Sequence, residues 1–159
     1  MPNFPVGPIG NRLGWRALLP RERVLTIGEE HPPAYEALRI TPGVPKGGVD
    51  FAYGDASPHD ANFDVLHGVE FAMGCCVGQE VVSRMKHRGK ARRRVVRLRT
   101  LGERPPSGTP VLDGELAVGA LGSSSGREAP AMLRLDRVDE TKAAGRKLSA
   151  GGVGVALAE

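Results

Sequence analysis

Arg93-Arg94-Val95-Val96-Arg97-Leu98-Arg99 begins a series of short apolar or alternating runs that continues to the end of the chain. Thr109-Pro110-Val111-Leu112, Glu115-Leu116-Ala117-Val118-Gly119-Ala120-Leu121, Ala131-Met132-Leu133-Arg134-Leu135 and Gly152-Val153-Gly154-Val155-Ala156-Leu157 follow, separated by Gly, Pro, Ser and Asp turns. Strand-length runs at such spacing predict a small antiparallel sandwich or barrel. The character of the chain changes near residue 90, which places a boundary there with no flexible linker.

Upstream of that boundary the pattern is mixed. Gln79 to about His87 lacks Gly and Pro, lets Val81, Val82 and Met85 share part of one face, and is followed by Gly89 where a helix C-cap glycine belongs, so a helix is predicted. Pro58-His59-Asp60-Ala61-Asn62-Phe63-Asp64-Val65-Leu66 has room for one or two helical turns, ended by Gly68. A further helix is predicted over His31–Ile40, with prolines in or just before its first turn and Pro42-Gly43 stopping it. Leu13–Leu19 reads as a first strand after a Pro/Gly-rich entry.

A chain of 159 residues can bury a core, but with one Trp, two Tyr and four Phe that core rests mainly on Val, Leu and Ala. The 22 glycines and 13 prolines favour many turns over long helices. A formal charge of +4 is compatible with a polyanionic partner without requiring one. The only cysteines, Cys75 and Cys76, are adjacent, which is no disulfide framework and points to a reducing cytoplasm. The N-terminus lacks the pattern of a signal peptide, and no window approaches a membrane span, so a soluble protein with no membrane partner is expected.

The cysteines sit in Gly74-Cys75-Cys76-Val77-Gly78-Gln79-Glu80, a tight turn at the start of the predicted helix, with Arg84, Lys86 and Arg88 farther along. A thiol acts as nucleophile, ligand or redox centre mainly as thiolate, which neighbouring positive potential favours. The helix terminus alone contributes about 0.3–1 kcal/mol, less than one pKa unit. Two small buried residues beside a turn is the plainer reading of such a pair. Two sulfurs cannot close a metal or cluster site by themselves, so no permanent metal is assigned. The scattered His59, His67 and His87 read as solvated or core side chains. Gly122-Ser123-Ser124-Ser125-Gly126 lacks the pattern of a phosphate loop and reads as a hairpin turn. Arg93, Arg97 and Arg99 fall on one side of an alternating strand, where charge guards a sheet edge against pairing.

Gly74-Cys75-Cys76-Val77-Gly78-Gln79-Glu80, with Arg84 and His87-Arg88-Gly89, resembles the signature of the YgfZ-type folate-binding proteins, relatives of the glycine-cleavage T protein (aminomethyltransferase). Leu13-Gly14-Trp15-Arg16, Tyr35 with Arg39-Ile40, Gly43-Val44-Pro45, Pro58-His59-Asp60-Ala61-Asn62, Leu66-His67-Gly68-Val69 and Gly119-Ala120-Leu121-Gly122-Ser123 to Leu133-Arg134-Leu135 resemble that family in the same order. The resemblance implies an α+β fold: a partial folate-binding, aminomethyltransferase-like module over residues 1–89, followed by a small antiparallel β-barrel over 90–159. It implies a factor for iron–sulphur cluster assembly or repair, not an enzyme in the ordinary sense, with tetrahydrofolate or a derivative as cofactor. Iron–sulphur client enzymes are the implied partners, with an indirect link to tRNA modification.

On the same resemblance, Cys75 carries redox or transient cluster chemistry, while Asp60, Gly74, Gly78, Gln79, Glu80, Arg84 and Arg88 form the signature and one wall of a folate pocket. Met73 stands where the family has lysine, Cys76 where it has tyrosine, and Asp60 where a Glu or Gln is common. Losing the lysine removes a cation beside the thiol. Members are longer than this chain, and the match begins partway through them, so the chain alone is expected to bind folate weakly or not at all and to expose apolar surface around Leu13–Leu19. A tetrahydrofolate-dependent aminomethyltransferase and a basic RNA-binding module are the alternative functions, the second resting on the Arg84–Arg99 run.

Overall fold

The structure, a computed structural model, describes residues 31–69 and 91–158, with Leu13, Pro20 and Glu22. The signature at 74–89 and the helix predicted from Gln79 lie outside the described residues. So does the strand expected over Leu13–Leu19, except for Leu13, which is helical.

Helix α1 spans Pro32–Ile40, with its two prolines at the first helical positions, where a missing N–H costs nothing. Its end is a Schellman turn: Val44 N–H donates to the Arg39 carbonyl at 2.9 Å and Gly43 N–H to that of Ile40 at 2.9 Å. Gly43 takes the left-handed conformation this turn requires, with φ of 77°.

Residues 57–68 form two single helical turns in succession. Ser57 and Asp60 cap the first reciprocally, Asp60 N–H donating to Ser57 Oγ at 3.2 Å and Ser57 N–H to Asp60 Oδ2 at 3.0 Å, the arrangement of a capping box. Asn62 closes that turn at φ 63°, as Phe63 N–H reaches the Pro58 carbonyl at 2.8 Å. His67 closes the next at φ 54°, with Gly68 N–H donating to Phe63 at 2.7 Å.

Strands β1 (Arg93–Thr100), β2 (Pro110–Asp113), β3 (Leu116–Leu121), β4 (Glu128–Arg134), β5 (Leu148–Ala150) and β6 (Val153–Leu157) close into an antiparallel barrel in the order β1-β4-β3-β2-β5-β6. The barrel is one of the two folds, sandwich or barrel, that the strand spacing predicts, and the one the family resemblance implies. Its lumen is filled by side chains, as small barrels require: Leu98, Val111, Val118, Leu121, Leu133 and Val155 are buried, with Ala129, Ala131 and Ala150 filling narrower places. Gly119 is small by necessity, since a Cβ there would lie 2.0 Å from the Met132 carbonyl oxygen.

Three elements differ from expectation. Leu135 ends no strand; it starts helix α2, Leu135–Ala143, whose Val138 joins the barrel core. The three-residue β5 supplies the sixth wall. Nor is β1 an edge. It pairs with β4 from Arg93 to Arg99 and with β6 from Leu98 to Thr100. Barrel closure leaves no edge for its arginines to guard. Leu98 and Thr100 are buried and Val96 packs on the core, whereas Val95, on the opposite face, is buried outside that core. Val95 lies beneath the 57–68 turns: its N–H donates to the Asp60 carbonyl at 2.8 Å, and its own carbonyl accepts from Asn62 Nδ2 at 2.7 Å.

Candidate functional site

Two polar clusters join the first described segment to the barrel. The deeper one centres on Arg39, on the last turn of α1, and Asp50, on the loop that follows, exposed by 2% and 4%. Arg39 Nη1 donates to Asp50 Oδ2 at 2.8 Å and to the Val44 carbonyl at 3.0 Å. Its Nε and Nη2 donate to Glu36 Oε2, and Nη2 also to Ser123 Oγ at 2.7 Å. Ser123, in the β3–β4 hairpin, returns both its N–H and its hydroxyl to Asp50 Oδ1, each at 2.6 Å. Lys46 completes the set, its N–H on Asp50 Oδ2 at 2.7 Å and its ammonium on Glu36 Oε1 at 2.9 Å.

Buried charges are tolerated only when paired and hydrogen-bonded, and here both are. Burial opposes the charge on Arg39, but Glu36 and Asp50 outweigh it and hold its pKa above the usual value. Glu36 is held below the usual carboxylate range, chiefly by its bond to Arg39 and with help from Lys46.

The second cluster lies along β1. Arg93 donates to Asp55 Oδ2 at 3.0 Å, to the Asp55 carbonyl at 2.6 Å and to Asp60 Oδ2 at 3.4 Å. Arg94 forms a two-pronged pair with Asp64 at 3.0 and 2.8 Å and touches Asn62 Oδ1 at 3.3 Å. Burial raises the Asp64 pKa, but the Arg94 bonds more than offset this and leave it lowered. Arg97 Nη1 reaches the Thr41 carbonyl at 2.6 Å, and Arg99 pairs with Glu128 at 3.5 Å. Arg93, Arg94, Arg97 and Arg99 of the basic run thus clamp the protein's own chain. Exposed aromatic platforms of the kind single-stranded nucleic acid uses are not interleaved with them.

Asp60 is the predicted site residue that the structure describes. Its side chain is 10% exposed and its Oδ2 already accepts from Ser57 N–H and Arg93. Such a carboxylate caps a turn and anchors β1. Cys75, Gly74, Gly78, Gln79, Glu80, Arg84 and Arg88 lie outside the described residues. Of the histidines, His59 is buried and His67 exposed.

The residues that carry the polar clusters, Glu36, Asp50, Arg93, Arg94 and Ser123, are ones a sequence reading does not mark as a set. Ser123 lies 73 residues from Asp50, and nothing local signals their meeting. Among the described residues no group of three or more His, Cys, Asp or Glu could hold a metal ion, and no helix is long and apolar enough to cross a membrane.

Comparison with known proteins places this geometry. Residues 92–159 match the CAF17 C-terminal beta-barrel domain. The mitochondrial iron–sulfur cluster assembly factor IBA57 homolog of Chaetomium globosum is 36% identical over 132 residues, covering 78% of this chain and 30% of the relative. The homolog of Mycosarcoma maydis is 35% identical over 97 residues, 58% of this chain and 24% of the relative. Human IBA57 is 33% identical over 124 residues, 73% of this chain and 33% of the relative. The chain therefore spans only about a quarter to a third of the length of these relatives. With the closed barrel and the ordered similarity upstream of it, the chain belongs to the IBA57/CAF17, or YgfZ-type, family and carries its C-terminal β-barrel domain.

Proposed function

We propose that the chain serves iron–sulphur cluster assembly, as the part of an IBA57-type factor that carries the cysteine signature and the C-terminal barrel. One observation carries this reading: the similarity to a named cluster assembly factor covers 78% of the chain, a share that necessarily includes residues 74–89. The described geometry supports it. Val69 and Ala91 bracket the signature in sequence, and the segments that end and begin there are tied together through Asp60, Asn62 and Asp64 on one side and Arg93, Arg94 and Val95 on the other. A reactive segment gains from anchored ends, because less freedom is lost when it engages a partner.

In this reading the Cys75 thiolate is a transient ligand to iron while a cluster, the cargo, passes to a client enzyme. Gly74 and Gly78 let the backbone turn, Gln79 and Glu80 hold nearby amides, and Arg84 and Arg88 supply positive potential. Tetrahydrofolate belongs to the proposal for the complete protein, and no step is assigned to it here. The partners are cluster-carrying and cluster-receiving proteins. We place the chain in the cytoplasm, a reducing compartment where adjacent thiols stay unoxidised; the names of its relatives place those proteins in mitochondria.

The test is complementation in cells lacking their own factor of this family. A full-length relative should restore the activity of cluster-dependent enzymes, and the same protein with alanine at the position matching Cys75 should not. Full restoration by the alanine variant removes the thiol from the mechanism.

A further inference from the structure

A cleft of about 300 Å³ opens on the barrel between α2 and the β5–β6 hairpin, floored by Leu101, Leu148, Val155 and Leu157. Leu148 and Val155 are buried there, but Leu101 is 62% exposed. An apolar floor in contact with water is a cost that a ligand or partner removes.

Three cations also line the cleft: Lys142 on the last turn of α2, and Arg146 and Lys147 on the turn into β5. Their roles differ. Arg146 is committed to Asp113, with Nε at 2.8 Å from Oδ1 and Nη2 at 2.6 Å from Oδ2, and Thr141 Oγ1 donates to the same carboxylate at 2.7 Å. Lys142 and Lys147 are exposed, and among the described residues no carboxylate pairs with them or lines the cleft. Among the described residues the site thus offers an apolar floor, one guanidinium fixed by Asp113 and two ammonium groups that face no carboxylate.

Size and openness decide the class of occupant. The volume is at the lower limit for small-molecule sites, which enclose most of their ligand, whereas this cleft has exposed residues on both walls. It suits a single large side chain anchored from outside, in the way interface anchors fill small pockets. We infer that the cleft docks an acidic segment of a partner protein, one large apolar side chain resting on Leu101, Leu148, Val155 and Leu157, with neighbouring carboxylates facing Lys142 and Lys147. Charge complementarity selects an acidic over a basic segment and makes the contact sensitive to salt. The site involves none of the signature residues and stands or falls independently of the role proposed for Cys75.

The experiment is a titration of the full chain, followed by amide and methyl NMR, with a peptide carrying one leucine flanked on each side by two glutamates. Shifts should concentrate at Leu101, α2 and residues 146–157, and the double variant Lys142→Glu with Lys147→Glu should weaken binding by about tenfold. Both lysines are exposed, so the variant should keep the melting temperature of the parent. Replacing the peptide's leucine by serine, or its glutamates by lysines, should abolish the shifts. Absence of shifts with peptide in the millimolar range overturns the proposal, as does binding that the double variant leaves unchanged. Decanoate that shifts these residues where the peptide does not overturns it too, in favour of a small amphiphile.

Discussion

Asp50 and Ser123 are joined twice, by the serine's amide and by its hydroxyl, both on the same carboxylate oxygen at 2.6 Å. The other oxygen of Asp50 takes Arg39 and the Lys46 amide. A loop after α1 and a hairpin of the barrel are thereby fixed through one buried side chain.

Asp50→Ala should therefore be among the most damaging single changes in the described chain. It takes the Asp50 carboxylate from the buried Arg39, leaving Glu36 as its remaining ion-pair partner, and removes the one oxygen that accepts both the N–H and the hydroxyl of Ser123. Breaking a buried pair in this way costs about 3–5 kcal/mol. Equilibrium urea unfolding of the variant beside the parent measures it, and a loss under about 1 kcal/mol would mean the pair is more hydrated than its burial implies.

Gly122→Ala tests the same contact from the barrel side. A Cβ at Gly122 would lie 2.3 Å from Asp50 Oδ1 and 3.0 Å from its Cα, so hairpin and loop must separate. Overpacking of this kind costs about 1–3 kcal/mol. Combined with Asp50→Ala the penalty should shrink, because the obstructing oxygens are gone, and a double-mutant cycle reads that coupling.

Asn62→Ala should loosen the 57–68 turns from β1. Alanine loses the bond to the Val95 carbonyl and must adopt φ of 63°, which glycine tolerates. The expected loss is about 2–3 kcal/mol for alanine, with Asn62→Gly less harmful because it loses the side-chain contacts to Val95 and Arg94 without adding strain. Hydrogen exchange at the Val95 amide, which donates to Asp60, should accelerate in both.

Acid should weaken the fold in a defined window. Hydrogen bonds from Arg146 and then Thr141 lower the Asp113 pKa from 3.8 to about 2, and Glu36 and Asp64 are also lowered. A lowered carboxylate binds its proton more weakly in the folded than in the unfolded chain. Its stabilisation is complete above the unfolded value near 4 and disappears as pH falls through the folded value. Urea midpoints should fall between about pH 4 and pH 2, and Asp113→Asn should flatten part of that slope.

Strand-length apolar runs predict an antiparallel sandwich or barrel, because turn formers divide them at regular spacing, and the family resemblance decides for the barrel. β5 was illegible: Leu148-Ser149-Ala150 is three residues between Arg146-Lys147 and Gly151-Gly152, and it is a strand only because β2 and β6 pair with it. α2 escaped for a related reason. Leu135 and Val138 are the only large apolar residues in Leu135–Ala143, too few to show a period, and Leu135 continues the apolar run of the strand before it. α1 was legible from its prolines and Gly43, which act locally.

The arginines of β1 show where residue type misleads. Alternating charge on a strand looks like edge protection, yet the acceptors for Arg93 and Arg94 come from Asp55, Asp60 and Asp64, some 30 or more residues earlier. Asp60 was marked through family resemblance, and its visible work is to cap a turn and receive Val95 and Arg93. Long-range acceptors of this kind leave no periodic trace in a sequence.

The two-faced packing of β1 bears on where the protein can be divided. Sequence similarity to the barrel domain starts at residue 92, which invites expression from that point. Val95 would then face water, three arginines would lose the acceptors they now hold, and Ser123 would lose Asp50. The edge of the barrel match is not a seam in the molecule, and a piece that keeps these contacts must reach back at least to His31, which caps α1.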